Sequence, residues 1–454
     1  FPLIRTSPSR HLLWFPSSSQ SYSQQSQTMR AFNLMLMRLH VILVSFFSTS
    51  AAFSTLPLIS SRSQASLAFS KSISQYSRSS SRFSQSEDNS FTSIASSPDD
   101  DEVQKSSRKI GRVEKFSRLP VWPVWNGVFL FLIGKLNPEL GAKFEDAFGG
   151  RVCPNFFESE KTTPFIMLVH HRHSFAPWDP LRYIQRTFFP EGFPAHPHRG
   201  FVTVTYFLQG GFKHRDSMGV KQLYGAEERH NGKHTQWLNT GAGILHEEMY
   251  DIEPDKGGFD LVQPSSQELY QLWLNLPSEH KMSQPLTKLL GGEEETPTVR
   301  SDKTETIVLA GEYGGKRSAA PALSDIAILH GKMEPGSTWK HSIPQSHKTA
   351  IMYVRTGSVS IDGTRVPPHH TIYFVPYGEE LVVTSSEGAD FLFLAGAPIY
   401  EPIAAQGSMV MNSPEEINEA YSDYQSQKMG VPWDHKISDE EWMEHVRQYP
   451  SVYK

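Results

Sequence analysis

Two short motifs constrain this chain more than any other feature of its sequence. His196 and His198 are two residues apart, and so are His246 and Glu248, fifty residues further on. Side chains two apart on an extended strand point to the same face, so each pair projects together. If the two strands share one sheet or barrel, three imidazoles and one carboxylate converge. Imidazole suits Zn, Cu, Fe and Ni, and a carboxylate with open positions beside it favours a catalytic or redox iron over a closed structural zinc.

The two adjacent glutamates of the second motif are expected to differ in role. His-x-His also occurs in many loops that bind no metal, but here His246-Glu247-Glu248 follows a glycine-rich turn at Gly241–Gly243, which favours a site. On a regular strand only Glu248 shares a face with His246. Glu247 is expected on the outer side of the wall, against solvent or a flanking segment. A bulge after Gly243 would reverse this assignment.

From Thr163 onward, short apolar runs alternate with turn residues, which is typical of an all-β sandwich or barrel. Asp362-Gly363 predicts a two-residue hairpin turn. The predicted strands are 165–170, 202–208, 236–238 and 269–276, then 326–330, 350–354, 358–361, 371–375, 381–384 and 391–394.

An internal repeat relates the two halves, because Tyr206-x-x-x-Gly210 matches Tyr353-x-x-x-Gly357. Superposing the copies at fixed spacing places Ile343, Gln345 and Phe393 where His196, His198 and His246 stand. We therefore predict a second barrel without metal ligands. The histidines His341, His347, His369 and His370 fall outside the ligand register, and we expect them to be surface or hydrogen-bonding residues.

These motifs resemble the signature of the pirins, a branch of the cupin superfamily. The first part is the run 191–201 (EGFPAHPHRGF) with 206–211 (YFLQGG), and the second is Gln236-Trp237 with 241–248 (GAGILHEE). Residues 401–403 and 410–417 resemble the closing segment of the family. The similarity spans about residues 150 to 430.

The resemblance implies a bicupin of two tandem, jelly-roll-like β-barrels, with C-terminal helices after them. It also implies one Fe(II) in the N-terminal barrel, with other divalent first-row metals as alternatives. The implied ligands are His196, His198, His246 and Glu248, and Glu248 is also the implied catalytic carboxylate. Cupins generally carry a glutamate four residues after the second histidine, where this chain has Val202. Because that glutamate is not a pirin iron ligand, we expect coordination to survive the change.

The N-terminal region has the composition of a targeting sequence. Arg30 and Arg38 precede an apolar run at 41–47 that is too short to span a bilayer, and small residues lead to a cleavage site before Phe53. Residues 54–86 are rich in Ser and Arg and contain no acid. This arrangement resembles the two-part plastid address of algae with secondary plastids. A secreted protein with a disordered Ser-rich tail, or a cytoplasmic protein, is the alternative.

These observations divide the chain into seven segments. The predicted order is an upstream extension (1–28), a signal peptide (29–52), a transit peptide with a disordered linker (53–110), a lead-in segment (111–160), the N-terminal metal-binding cupin domain (161–295), the C-terminal cupin domain (303–412) and a helical tail (413–454). Capping boxes at Ser413 and Ser438 predict two helices in the tail.

Charge and cysteine content limit the partners. The chain has 43 basic and 48 acidic residues, and eight of the basic ones lie before the first acid, Glu87, so the remainder is strongly acidic. Such a body is a poor partner for a phosphate backbone, and we expect no direct nucleic-acid binding. The single cysteine excludes an intramolecular disulfide. We expect a monomer without a transmembrane span.

Three functions remain open at this point. Three neutral imidazoles and one carboxylate leave an octahedral iron two positions for water, dioxygen or a chelating substrate. Such a centre suits a quercetin-type dioxygenase acting on a flavonol-like aromatic enediol. It equally suits a redox sensor that binds a protein partner, as pirins acting with transcription factors are thought to do. The third alternative is a cupin that the metal merely stabilises.

The targeting interpretation predicts the destination of a fluorescent fusion to residues 29–110. In an algal host with a secondary plastid, microscopy should show fluorescence in the plastid. Replacing Phe53 with Ala should divert the fusion to the secretory route, because the residue after the signal cleavage site is changed. Cytosolic fluorescence from the intact fusion would contradict the interpretation.

Overall fold

Antiparallel strands dominate the part of the chain that the computed structural model describes. The described residues are 106–116, 119–120, 133, 135–137, 140, 151–175, 190–252 and 265–454. The upstream extension (1–28), the signal peptide (29–52) and the transit peptide up to residue 105 lie outside them. Within the described ranges, no helix has the length and apolar character needed to cross a bilayer.

The bounds of the elements follow chain order. The first strands are β1 (Ile110–Lys115), β2 (Leu119–Pro120), β3 (Arg151–Phe156), β4 (Phe165–Phe175), β5 (Gly192–His198), β6 (Phe201–Gln209), β7 (Gly211–Asp216), β8 (Lys221–Gly225), β9 (Thr235–Asn239), β10 (Ile244–Tyr250), β11 (Ser265–Asn275) and β12 (Leu286–Leu290). The next are β13 (Thr298–Arg300), β14 (Thr304–Ala310), β15 (Glu312–Tyr313), β16 (Lys316–Arg317), β17 (Ile326–Met333), β18 (Ser337–Ser342), β19 (Thr349–Gly357), β20 (Val359–Ile361), β21 (Thr364–Val366), β22 (His370–Phe374), β23 (Glu380–Ser385), β24 (Ala389–Gly396), β25 (Ala404–Gln406) and β26 (Met409–Met411). The helices are α1 (Ser159–Thr162), α2 (Ser278–Lys281), α3 (Gly292–Glu295), α4 (Pro414–Gln425) and α5 (Asp439–Gln448), with a 3-10 turn at Glu228–His230.

The strands form two barrels of equivalent topology, as predicted. In the first, a sheet in the order β5-β10-β7-β8 accompanies a sheet in the order β12-β9-β6-β11-β4-β3-β2. In the second, β18-β23-β20-β21 accompanies β1-β22-β19-β24-β17-β14-β13. The predicted hairpin turn between β20 and β21 is confirmed, because Asp362 and Gly363 both have positive φ.

The internal repeat is confirmed in the topology, since β6 and β19 are equivalent strands and carry Tyr206 and Tyr353 at equivalent positions. The ligand register inferred from it at fixed spacing is wrong. His246 lies on β10, whose counterpart in the second barrel is β23, whereas Phe393 lies on β24, the counterpart of β11.

The error arises from unequal loops. Two residues, 199 and 200, join β5 to β6, but six residues, 343–348, join β18 to β19. Ile343 and Gln345 therefore follow β18 and do not lie on it. Among its described residues, the second barrel has no group of three metal-binding side chains.

One histidine of the second barrel differs from its predicted role. His341 is buried, and its ring lies 5.4 to 5.7 Å from the ring centroids of Phe393, Tyr313 and Trp339. Burial lowers the pKa of His341 to about 4. Interior aromatic packing thus replaces the expected surface or hydrogen-bonding role. Hydrogen bonds are confirmed for three others: His347 to Asp325, His369 to the Tyr353 hydroxyl and His370 to the Pro368 carbonyl.

The two barrels pack through one shared hydrophobic core. Alternation along β6 directs Val202, Val204 and Tyr206 toward the second barrel, where they join Ile351 and Leu392 in one buried cluster. Thr203 and Thr205 therefore point the other way, into the first barrel. This face of β6 is thus the interface between the barrels.

A buried polar network with near two-fold symmetry crosses this interface. Two tyrosine–histidine–carboxylate chains each use side chains of both barrels: Tyr206 to His330 (2.8 Å) to Asp390 (3.1 Å), and Tyr353 to His170 (2.9 Å) to Glu268 (2.8 Å). Arg355 joins the two chains by donating to Glu268 at 2.8 and 3.1 Å and to Asp390 at 2.9 Å. Removing one partner of such a buried pair typically costs about 3–5 kcal/mol, so the network fixes how the barrels dock.

The segment before the first barrel contributes to the second. β1 pairs with β22. Arg108 is buried and donates to the carbonyls of His347 and Lys348. The end of the predicted linker (53–110) is therefore part of a barrel, because its backbone completes a sheet edge. The lead-in segment likewise supplies β2 and β3 to the first barrel.

Candidate metal centre

The first barrel brings three imidazoles together, as the sequence predicts. His196 and His198 lie on β5 and His246 lies on β10, directly opposite His196 in the antiparallel register. One ring nitrogen from each lies within 4.8 Å of the others, and Nε2 of His196 is 3.0 Å from Nε2 of His246. Among the described residues this is the sole such group of metal-binding side chains.

The state of these imidazoles fits a divalent transition metal. Burial lowers the pKa of His196 to about 4 and holds the pKa values of His198 and His246 well below the usual range. All three rings are therefore neutral at pH 7, which is the form that binds a metal. The Nδ1 of His196 donates to the Pro194 carbonyl at 2.8 Å, which leaves the lone pair on Nε2 facing its neighbours.

The strand parity that separates Glu248 from Glu247 is confirmed. Between the pairs His246–His196 and Glu248–Phe193, one residue of β10 (247) faces two of β5 (194 and 195), so the bulge lies on β5. Pairing of β10 with β7 on its other side is regular. The strand that carries both glutamates therefore alternates without interruption.

Glu248 faces the interior of the first barrel but lies outside the 4.8 Å group of imidazole nitrogens. Its carboxylate accepts hydrogen bonds from Thr205 (3.2 Å), Tyr224 (3.3 Å) and Gln271 (3.1 Å). Burial raises the pKa of Glu248 above its ordinary value, and His214 together with these hydrogen bonds opposes the shift. The sequence did not single out these three partners, although inward alternation on β6 could have indicated Thr205.

Glu247 faces outward and contacts a flanking segment, one of the two expected alternatives. It is 1% exposed and pairs with Arg215 of β7. Its Oε2 also accepts from the indole Nε1 of Trp433 in the C-terminal tail at 2.8 Å. Its charge is thus paired on the opposite side of the wall from the three imidazoles.

His214 and Asp216 of β7 are buried beside the ligand strand β10. Nε2 of His214 donates to Asp216 at 3.0 Å, and the His214 ring lies 5.5 Å from the His246 ring. Thr287 and the backbone of residues 218 and 220 complete the hydrogen bonds to Asp216. The pair thus reaches the site through ring packing of His214 against His246.

Comparison with known proteins decides the family. The Pirin family model matches residues 150–274, and the pirin C-terminal cupin domain matches residues 328–430. Pirin-1 of Arabidopsis thaliana is 33% identical over 299 residues, which cover 64% of this chain and 92% of that protein. The chain belongs to the pirin family.

Other similar proteins agree with this assignment. Human pirin is 34% identical over 260 residues, covering 55% of this chain and 83% of that protein. A crystal structure of quercetin 2,3-dioxygenase from Acinetobacter baumannii aligns with a TM-score of 0.55 and 25% identity, covering 72% of this chain and 99% of that chain. The bicupin fold is thereby confirmed, and the two barrels are cupin domains.

Substitution of the adjacent glutamates tests which one serves the metal. Glu248→Gln should weaken Fe(II) binding on the order of 10–100-fold, as loss of even an outer partner of a metal site does. Glu247→Gln should weaken binding much less and should instead lower the melting temperature, because it leaves the buried Arg215 without a full countercharge. Anaerobic titration of both variants measures this. Equal losses of affinity, or a larger loss at Glu247, would contradict the assignment.

Proposed function

We propose that the protein is a metal-dependent dioxygenase that opens the ring of a flavonol-like enediol, with Fe(II) as the metal. The observation that carries the proposal is the group of three neutral imidazoles, two of them buried and His196 half-buried, in the same barrel interior as the Glu248 carboxylate. The similarity to a quercetin 2,3-dioxygenase along almost the full length of that chain supports the choice of reaction.

Each residue of the site has a definite role in this proposal. His196, His198 and His246 would hold the metal, and Glu248 would be the fourth ligand and the proton acceptor. Bound Fe(II) supplies one-electron chemistry toward dioxygen. Glu248 faces the barrel interior and would take the hydroxyl proton of an enediol there.

The partners of Glu248 keep it oriented toward the barrel interior. Thr205, Tyr224 and Gln271 come from three different strands and contact both carboxylate oxygens. They limit rotation of the carboxyl, so a substrate hydroxyl meets it in a fixed position. The His214 ring, which is hydrogen-bonded to Asp216, packs against the neighbouring His246 ring.

A redox-sensing regulator that binds a protein partner is the second candidate. The observation that favours it is the contact between the ligand-bearing strands and the C-terminal tail, such as the bond from Trp433 to Glu247. A change at the metal can reach the surface through contacts of this kind. In that case the protein would bind iron without turnover.

Oxygen consumption separates the two candidates. The Fe(II)-loaded protein should consume one dioxygen per flavonol with at least one member of a flavonoid panel, as measured with an oxygen electrode and by loss of the flavonol absorbance. His246→Ala should abolish consumption. His341→Gln, which changes a buried histidine of the second barrel, should retain it. A protein that holds iron yet shows no consumption with any flavonol would refute the dioxygenase and support the regulator.

A further inference from the structure

The C-terminal tail, residues 404–454, packs on the first barrel. A buried apolar cluster joins Leu245 of β10 to tail residues, which are Met409, Met411, Ile417, Ala420, Met429, Trp433, Trp442 and Val446. Leu245 directly precedes the ligand His246. The tail thus covers the outer side of the wall whose inner side carries the imidazoles.

The hairpin β25–β26 holds the backbone on both sides of His198. Ser408 Oγ donates to the Pro197 carbonyl at 2.5 Å. The backbone N–H of Arg199 donates to Ser408 at 3.4 Å, and that of Val410 donates to Arg199 at 3.0 Å. A Cβ at Gly200 (φ +83°) would lie 2.1 Å from the Val410 carbonyl oxygen, so glycine is required for this close approach.

The Arg199 side chain links the two ligand strands to the tail. It is 1% exposed, and its Nε donates to the Ala242 carbonyl, in the turn before His246, at 2.6 Å. Its Nη2 donates to Asp423 of α4 at 2.8 Å and to the Tyr453 hydroxyl at 2.5 Å. Tyr453 in turn donates to Asp423 at 2.7 Å.

The charges of Arg199 and Asp423 are paired with each other. Burial alone would raise the pKa of Asp423, but hydrogen bonds from Lys428, Tyr453 and Arg199 hold the pKa at about 2. Asp423 is therefore a full anion at neutral pH. The buried guanidinium of Arg199 has its countercharge in the tail, 224 residues away in sequence.

A second contact reaches β10 directly. Trp433 donates to Glu247, which stands between His246 and Glu248. Met429 fills the space beside Gly243, where an added Cβ would lie 2.7 Å from its Cε. Tail side chains therefore contact β10 and the turn that leads into it.

We propose that the C-terminal tail sets the spacing of the metal ligands, with Arg199, Asp423 and Trp433 as positioning residues. The inference rests on the metal binding proposed above. The tail holds the segment after His198 and the strand of His246 from one side, so loss of its contacts lets the two strands separate. By linkage, a metal that binds only when the three imidazoles lie close together must also stabilise the packing of the tail on the first barrel.

Metal binding by tail variants tests the inference, with Ni(II) as the probe. Asp423→Asn and Trp433→Phe should each weaken Ni(II) binding about 10-fold, the lower end of the effect of outer-layer changes. The Co(II)-substituted variants should also show altered visible absorption, which reports ligand geometry. Tyr421→Phe is the matched control, because its hydroxyl bonds only to Gln406 within the tail. It should bind as the unmodified protein does.

Hydrogen exchange provides the reciprocal measurement on the unmodified full chain. Saturating Ni(II) should slow exchange of the tail amides at Lys428 and Val452, which bond within the tail. Wild-type affinity and Co(II) spectra in both variants, with no protection of these amides, would overturn the inference while leaving the proposed function intact. If the unmodified protein binds no Ni(II), the proposed metal site itself fails. A variant that does not fold leaves the exchange result to decide.

Discussion

The antiparallel pairing of β5 with β10 is the constraint on which the site depends. It places His196 opposite His246, and the alternation of side chains then brings His198 to the same face. Burial keeps all three rings neutral and ready to accept a metal. A shift of one residue in this register would turn the ligands to the outer face.

The sequence predicts this centre well because period-two alternation is a local property. The same rule assigns Glu248 inward and Glu247 outward. Superposition of the repeat at fixed spacing fails for the second barrel, because loop lengths differ and Phe393 is misplaced. Alternation also cannot show that a tail more than two hundred residues away supplies the countercharge of Arg199.

The second barrel has the same topology as the first and is joined to the site, although its described residues hold no group of three metal-binding side chains. Its Arg355 ties Glu268 of the first barrel to Asp390, and its C-terminal extension covers the outside of β10. The ion pairs of Arg355 with Glu268 and Asp390 are largely shielded from water, so breaking either of them is costly. The second barrel can thus serve to stabilise the first barrel, which carries the three imidazoles.

The number of metal ions held by the purified full chain tests the central claim most directly. After loading with Ni(II) and removal of excess metal, elemental analysis should find close to one ion per chain, since the described residues contain one group of three imidazoles. X-ray absorption should show imidazole nitrogen as the main ligand type, and His246→Ala should empty the site. A content near two, or full retention in that variant, would contradict the account.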